Sequence, residues 1–212
     1  MSLKGSLVVV SGFSGVGKGS VMHSLVSRHE GYALSVSATT RDPRPGEKDG
    51  EAYFFISTEE FEKMIRQDEL VEYACYCDHY YGTPKEFVTR QMKEGKDVLL
   101  EIEIQGARKI KARFPDALLV FIMPPSAEEL LARLCGRGTE SDEVIRQRLE
   151  RAVREAEGIG DYEYICVNDE IDLCADRMHA LIQAQKNLTQ RNLEFVSNIR
   201  EQITDLNQKY HA

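Results

Sequence analysis

The chain has 212 residues, a formal charge of −8 and an isoelectric point near 5.3. That length supports one domain, with or without inserted lobes, and a buried core. The acidic balance argues against nucleic acid or an anionic membrane as partner, because either needs a broad basic face. No apolar run approaches the ~20 residues of a membrane span, and the amino terminus lacks a secretory pattern. Five cysteines without a C-x-x-C, an odd number, predict free thiols in a reducing cytoplasm. The five histidines show no metal spacing.

The first element is Leu7–Ser20, LVVVSGFSGVGKGS. A Val-rich run that stops at Ser-Gly reads as a buried strand of a parallel sheet. Gly12-x-x-x-x-Gly17-Lys18 then has the spacing of a phosphate-binding loop, in which backbone N–H groups converge on phosphate oxygens and the lysine neutralises them. Val21, Met22, Leu25 and Val26 follow at helical spacing, so strand, loop and helix come in the required order. The next residue in such loops is usually Ser or Thr, a magnesium ligand; here it is Gly19, and Ser20 offers the hydroxyl one place later. The first acidic residue is Glu30, so no carboxylate in the loop repels a nucleotide.

Residues 37–90 break the strand–helix alternation with polar turns, Tyr-rich segments and Tyr53-Phe54-Phe55-Ile56, which predicts an inserted mixed lobe. Within it, Arg41 and Arg44 sit three apart in a Pro-braced segment, an arrangement suited to gripping phosphate. Val98–Ile102, Ala117–Ile122 and Tyr162–Val167 are further buried strands. Ser57 with Glu60, Thr83 with Glu86 and Ser126 with Glu129 have the spacing of helix capping boxes. Gly136-Arg137-Gly138-Thr139 separates two helices; it reads as a mobile lid, with a plain connection as the alternative. Arg146, Arg148, Arg151 and Arg154 share the following helix with Glu150 and Glu155, so some of these charges merely solvate a face. At the carboxyl end, Met178, Leu181, Ile182, Leu188, Phe195, Val196, Ile199, Ile203 and Leu206 recur at helical steps. They predict a helical extension that packs either on its own core or against another subunit.

S-x-T-T-R-x-P-R-x-G-E, V-E-Y, Y-Y-G-T, E-I-E-I-Q-G-A, G-R-G-T-E and V-N-D, in that order from Ser37, resemble guanylate kinase. The resemblance spans about Gly5 to Arg177. It implies an α/β fold in which a P-loop parallel sheet core flanked by helices carries an inserted mixed GMP-binding lobe and a short lid. The implied division is a core of 1–36, 91–135 and 151–187, a GMP lobe of 37–90, a lid of 136–150 and a carboxyl-terminal extension of 188–212. The implied reaction moves the γ-phosphoryl group of ATP to GMP with Mg2+. Lys18, Arg41, Arg137 and Arg148 are then the catalytic cations. Gly12, Ser14, Gly15, Val16, Gly17, Lys18, Gly19 and Ser20 fall to ATP, with Arg133 and Asn168 on the adenine side. Ser37, Arg41, Arg44, Tyr53, Glu72, Tyr81, Gly82, Thr83 and Glu103 fall to GMP. Ser20 is the candidate metal ligand.

Two departures matter. Glu103 stands where the family usually has Asp, and Thr83 where Ser is more familiar; the second keeps its hydroxyl. Two other functions compete: a non-catalytic guanylate-kinase-like module that binds phosphopeptides, and a sugar-phosphate kinase of similar architecture. The first typically lacks the ATP loop, which is present here. The second has no use for a carboxylate facing guanine.

Overall fold

A computed structural model describes residues 5–44, 46–76, 78–136 and 142–210. β1 (Leu7–Gly12) leads through the glycine-rich loop into α1 (Lys18–Arg28), followed by β2 (Tyr32–Leu34). Then come β3 (Ala38–Thr39), β4 (Phe54–Phe55), α2 (Thr58–Arg66), β5 (Leu70–Tyr76), β6 (His79–Pro84) and α3 (Lys85–Lys93). The chain continues through β7 (Asp97–Glu101), α4 (Ile104–Arg113), β8 (Leu118–Met123), α5 (Ala127–Cys135), α6 (Asp142–Ala156) and β9 (Tyr164–Val167). It closes with α7 (Ile171–Lys186) and α8 (Leu193–Tyr210).

Five strands form a parallel sheet in the order β2-β7-β1-β8-β9. β1 is central because its residues are apolar on both faces. Val8 and Val10 pack with Val21, Leu25, Leu134 and Met178 on one side, and Leu7 and Val9 with Val88, Ala107 and Ile110 on the other. The loop after β1 therefore opens at the carboxyl edge of the sheet, where ligands of open α/β sheets bind.

The second sheet, β4-β3-β6-β5, is mixed: β3 pairs parallel with β4 and antiparallel with β6. Its small core is Ala38, Phe61 and Leu70. The expected mixed insertion is present, and the register of β5 against β6 shifts between Leu70 and Tyr73. Such irregularities re-aim side chains, and this one falls on Glu72.

The capping box at Ser57 forms in full. Ser126 accepts from the Glu129 backbone N–H. The predicted box at Thr83 does not form: Thr83 is the penultimate residue of β6, α3 starts after Pro84, and the threonine hydroxyl serves Glu72 instead. The carboxyl-terminal pattern also divides. Met178 and Ile182 are buried in α7, a 3-10 turn spans Thr189–Asn192, and α8 has no buried residue. The helix is there, but it does not fold back to bury its apolar side chains in the core.

Candidate active site

An open cavity of about 710 Å3 lies between the phosphate loop and the inserted sheet. Ser14, Lys18 and Ser20 line one wall, Ser37 and Tyr53 another, and Glu101, Glu103, Arg151 and Glu155 the floor.

The loop's course is forced by close contacts. Gly17 has φ 91°, and a Cβ there would meet Asn168 Nδ2 at 2.8 Å. Asn168 is buried and donates from Nδ2 to the Val16 carbonyl at 2.7 Å. Arg133 donates to that carbonyl at 3.3 Å and to the Asn168 carbonyl at 2.9 Å. Both residues thus brace the back of the loop. Lys18 Nζ donates to the carbonyls of Gly12 at 2.9 Å and Phe13 at 3.3 Å, and burial lowers its pKa, against the raising fields of Glu101, Glu155 and Glu103. Gly15 keeps a positive φ beside Leu134. Ser20 is exposed at the cavity, and a Cβ at Gly19 would touch Glu101 Oε2 at 3.8 Å. Arg148 of α6 donates to Ser14 Oγ at 3.4 Å, so α6 does reach the loop. Arg137, with Gly138, Thr139, Glu140 and Ser141, lies outside the described residues.

In the inserted lobe, Arg41 is clamped by Glu47 through two bonds of 2.7 and 2.8 Å, and stacks over Tyr53 at 5.1 Å. The pair holds the Glu47 carboxyl down at about 2, assisted by the Arg44 backbone N–H. Tyr53 and Tyr81 meet edge to face at 6.0 Å, and burial raises the Tyr53 pKa. Arg41, Tyr53 and Tyr81 are therefore brought together, and Glu47 holds the guanidinium as an anionic group would. The Arg44 side chain is exposed.

Glu72 and Thr83 form a pair, the threonine hydroxyl donating to Oε1 at 3.0 Å. Burial pushes the Glu72 carboxyl above its ordinary value. This pair does not line the main cavity; Glu72 borders a smaller one of about 260 Å3 with Tyr73, Lys109 and Arg113. Gly82 is buried, and a Cβ there would meet the Glu72 carbonyl at 2.8 Å and the Phe61 ring at 2.9 Å. It permits the close approach of β5 and α2 and is placed within the sheet.

Glu103 is engaged by Arg151 of α6, which also donates to Glu155 at 2.8 Å. The other Glu155 oxygen, Oε2, is buried without a hydrogen-bond partner among the described residues. Sequence reasoning left Glu47, Arg151 and Glu155 without a role. Glu47 had a signal, as the last residue of its motif, whereas the reach of Arg151 to Glu103 spans two elements. Arg146, by contrast, pairs with Glu143 on the exposed face, as expected of a solvating charge.

A phosphate-binding loop at the carboxyl edge of a parallel sheet, facing an inserted mixed lobe, defines an α/β protein of the P-loop class. The guanylate kinase family model matches residues 4–209. A guanylate kinase of Caldanaerobacter subterraneus subsp. tengcongensis is 48% identical over 204 residues, covering 95% of this chain and 99% of that one. Another, of Desulfitobacterium hafniense, is 50% identical over 182 residues, covering 86% and 91%. The crystal structure of guanylate kinase from Anaplasma phagocytophilum superimposes with a TM-score of 0.71 at 31% identity, covering 90% of this chain and 92% of that one. The chain belongs to the guanylate kinase family. The match continues past Arg177, where the recognised motifs end, into α8.

Proposed function

We propose that the cavity takes ATP over the phosphate loop and GMP against the inserted lobe. The activity is transfer of the γ-phosphoryl group of ATP to GMP, giving ADP and GDP. The observation that carries this reading is a single cavity lined by Lys18 on the loop side and by Ser37 and Tyr53 on the lobe side. The intact loop favours an enzyme over a phosphopeptide-binding module, and the part-buried Glu72–Thr83 pair favours guanine over a sugar.

Phosphoryl transfer rests on fixed positive charge and on holding both substrates in line. In our reading Lys18 and Arg148 neutralise the ATP phosphates, and Lys18 exchanges its two loop carbonyls for phosphate oxygens. Arg41 exchanges Glu47 for the GMP phosphate, with Tyr53, Tyr81 and Arg44 as further donors. Arg137 joins the transferring group from the 136–150 segment. Glu72 accepts from guanine N1–H and the 2-amino group, and Ser37 and Thr83 supply hydroxyls to the base. In our reading the lobe closes on the loop when the base binds, bringing Glu72 to the nucleotide.

The donor set suits magnesium held chiefly by nucleotide phosphates. Ser20 and Glu101 offer hard oxygens at the cavity, and no cluster of three or more His, Cys, Asp or Glu able to hold a metal occurs among the described residues. Ser20 and Glu101 would hold the ion, which supplies charge neutralisation on the phosphates. The free thiols Cys75, Cys135, Cys166 and Cys174 suit a reducing compartment such as the cytoplasm. No helix among the described residues is long and apolar enough to cross a membrane.

The test is ADP release from ATP with GMP, AMP or ribose 5-phosphate as acceptor. GMP alone should support rapid turnover. Lys18→Ala should lower kcat by at least about 10³-fold while GMP still binds, because Lys18 belongs to the loop. Equal rates with ribose 5-phosphate would overturn the assignment of the base site.

A further inference from the structure

No side chain of α8 is buried, and the helix makes its principal contacts with the 3-10 turn just before it. Val196, Ile199, Ile203, Leu206 and Tyr210 recur at steps of three and four and are 38–89% exposed. Alternating steps of three and four are the spacing of a two-helix seam, and Phe195, 47% exposed, flanks it. Leu188 and Leu193 add exposed apolar surface at the amino end. With large side chains of ~150–200 Å2 left about half in water, the face exposes on the order of 600 Å2. Two such faces together reach about 1,200 Å2, the lower bound of a standard specific interface.

We propose that α8 pairs with α8 of a second copy, antiparallel about a two-fold axis level with Glu201. In this register Val196 meets the partner's Leu206, and Ile199 meets the partner's Ile203. Tyr210, the most exposed of the set at 89%, lies beside the partner's Leu193. Each end of the helix therefore supplies what the other end lacks. Glu194 in the first turn comes beside the partner's Lys209 in the last, and the helix dipoles oppose favourably. A parallel pair would leave Tyr210 and the partner's Leu193 at opposite ends. It would also crowd two globular bodies at one end of a helix only ~27 Å long. The antiparallel pair sets them at opposite ends.

Sedimentation equilibrium of the full chain across the micromolar range tests the pairing. The wild type should give twice the 24.1 kDa chain mass. Ile203→Glu should give the monomer mass with unchanged far-UV circular dichroism and GMP kinase activity. Lys209→Glu should raise the dissociation constant about tenfold, since symmetry removes two ion pairs at once, and Glu194→Lys in the same chain should restore it. A monomeric wild type overturns the proposal, as does a dimer that survives Ile203→Glu. An unaltered constant in Lys209→Glu overturns the antiparallel register. A monomeric wild type that floats with phosphatidylserine vesicles would give the face to a lipid surface instead.

Discussion

At β5, burial raises the pKa of the Glu72 carboxyl, and the Thr83 hydroxyl is the largest influence opposing it. A carboxyl whose folded pKa exceeds its unfolded value contributes stability below the unfolded value and loses it as pH rises through the folded one. Ionised Glu72 therefore costs the fold stability at neutral pH, the state that guanine recognition requires. Glu72→Gln should melt above the wild type at neutral pH, and the gap should close as pH falls below the ordinary glutamate value; scanning calorimetry across that range reads it. The same variant should lose roughly 10–100-fold in kcat/KM for GMP, the worth of one or two hydrogen bonds to a charged acceptor, and should narrow its preference over AMP. Unequal melting with an intact GMP/AMP ratio would mean that the residue is buried for packing alone.

At the scale of elements, α6 is divided by the sheet it approaches. Arg146 pairs with Glu143 in solvent, Arg148 reaches Ser14 of the phosphate loop, and Arg151 spans Glu103 and Glu155 on the cavity floor. An aspartate at 103 would be a methylene shorter, so the longer side chain suits the span to α6. Arg151 offsets carboxylates that would otherwise face nucleotide phosphates across a low-dielectric gap. Arg151→Ala should raise the KM for ATP about tenfold, the worth of a partly buried charge interaction, with a smaller change in KM for GMP. Glu103→Gln in the same chain should recover much of that loss. Steady-state kinetics of the two variants decides it; equal changes in both KM values would mean general loosening of α6.

Over the whole molecule, the two ends of the core are tied by polar contacts between α1, β2, β7 and α7. The rings of His29 and His179 stack at 3.9 Å, His29 contacts Asp176 at 2.8 Å, and Tyr32 meets His179 at 2.7 Å. Burial, then the neighbouring His29, lowers the His179 pKa, with Asp176 opposing and Lys186 reinforcing. The unfolded chain therefore binds the more protons, and stability falls as pH drops through the unfolded histidine value of about 6.5. In His179→Gln the denaturant midpoint should fall less over that window. Asp97, 1% exposed, accepts from the Ser6 N–H at 2.8 Å and pairs with Lys186 at 2.8 Å. Asp97→Ala should cost about 3 kcal/mol in urea unfolding, because Lys186 and a buried N–H both lose their partner.

The glycine-rich loop and the parallel core were legible in the sequence because their determinants are local. A Val-rich strand, glycines at fixed offsets and a helical period lie within twenty consecutive residues, and Gly17 answers a constraint of backbone angle that no neighbour can alter. The resemblance of the 37–83 motifs likewise named Arg41, Tyr53 and Tyr81, which the fold gathers. Thr83 shows where local signals fail: its spacing to Glu86 satisfies a capping box, yet pairing of β6 with β5 turns its hydroxyl to Glu72. The span of Arg151 to Glu103 and the use of Asn168 behind the loop join residues 48 and 152 positions apart. Whether α8 covered its own core was equally undecidable from its period, since a seam of threes and fours is the same on either surface. Only the packed chain decided these, because hydrogen bonds and ion pairs between elements are chosen by distance in space, which periodicity along the chain does not encode.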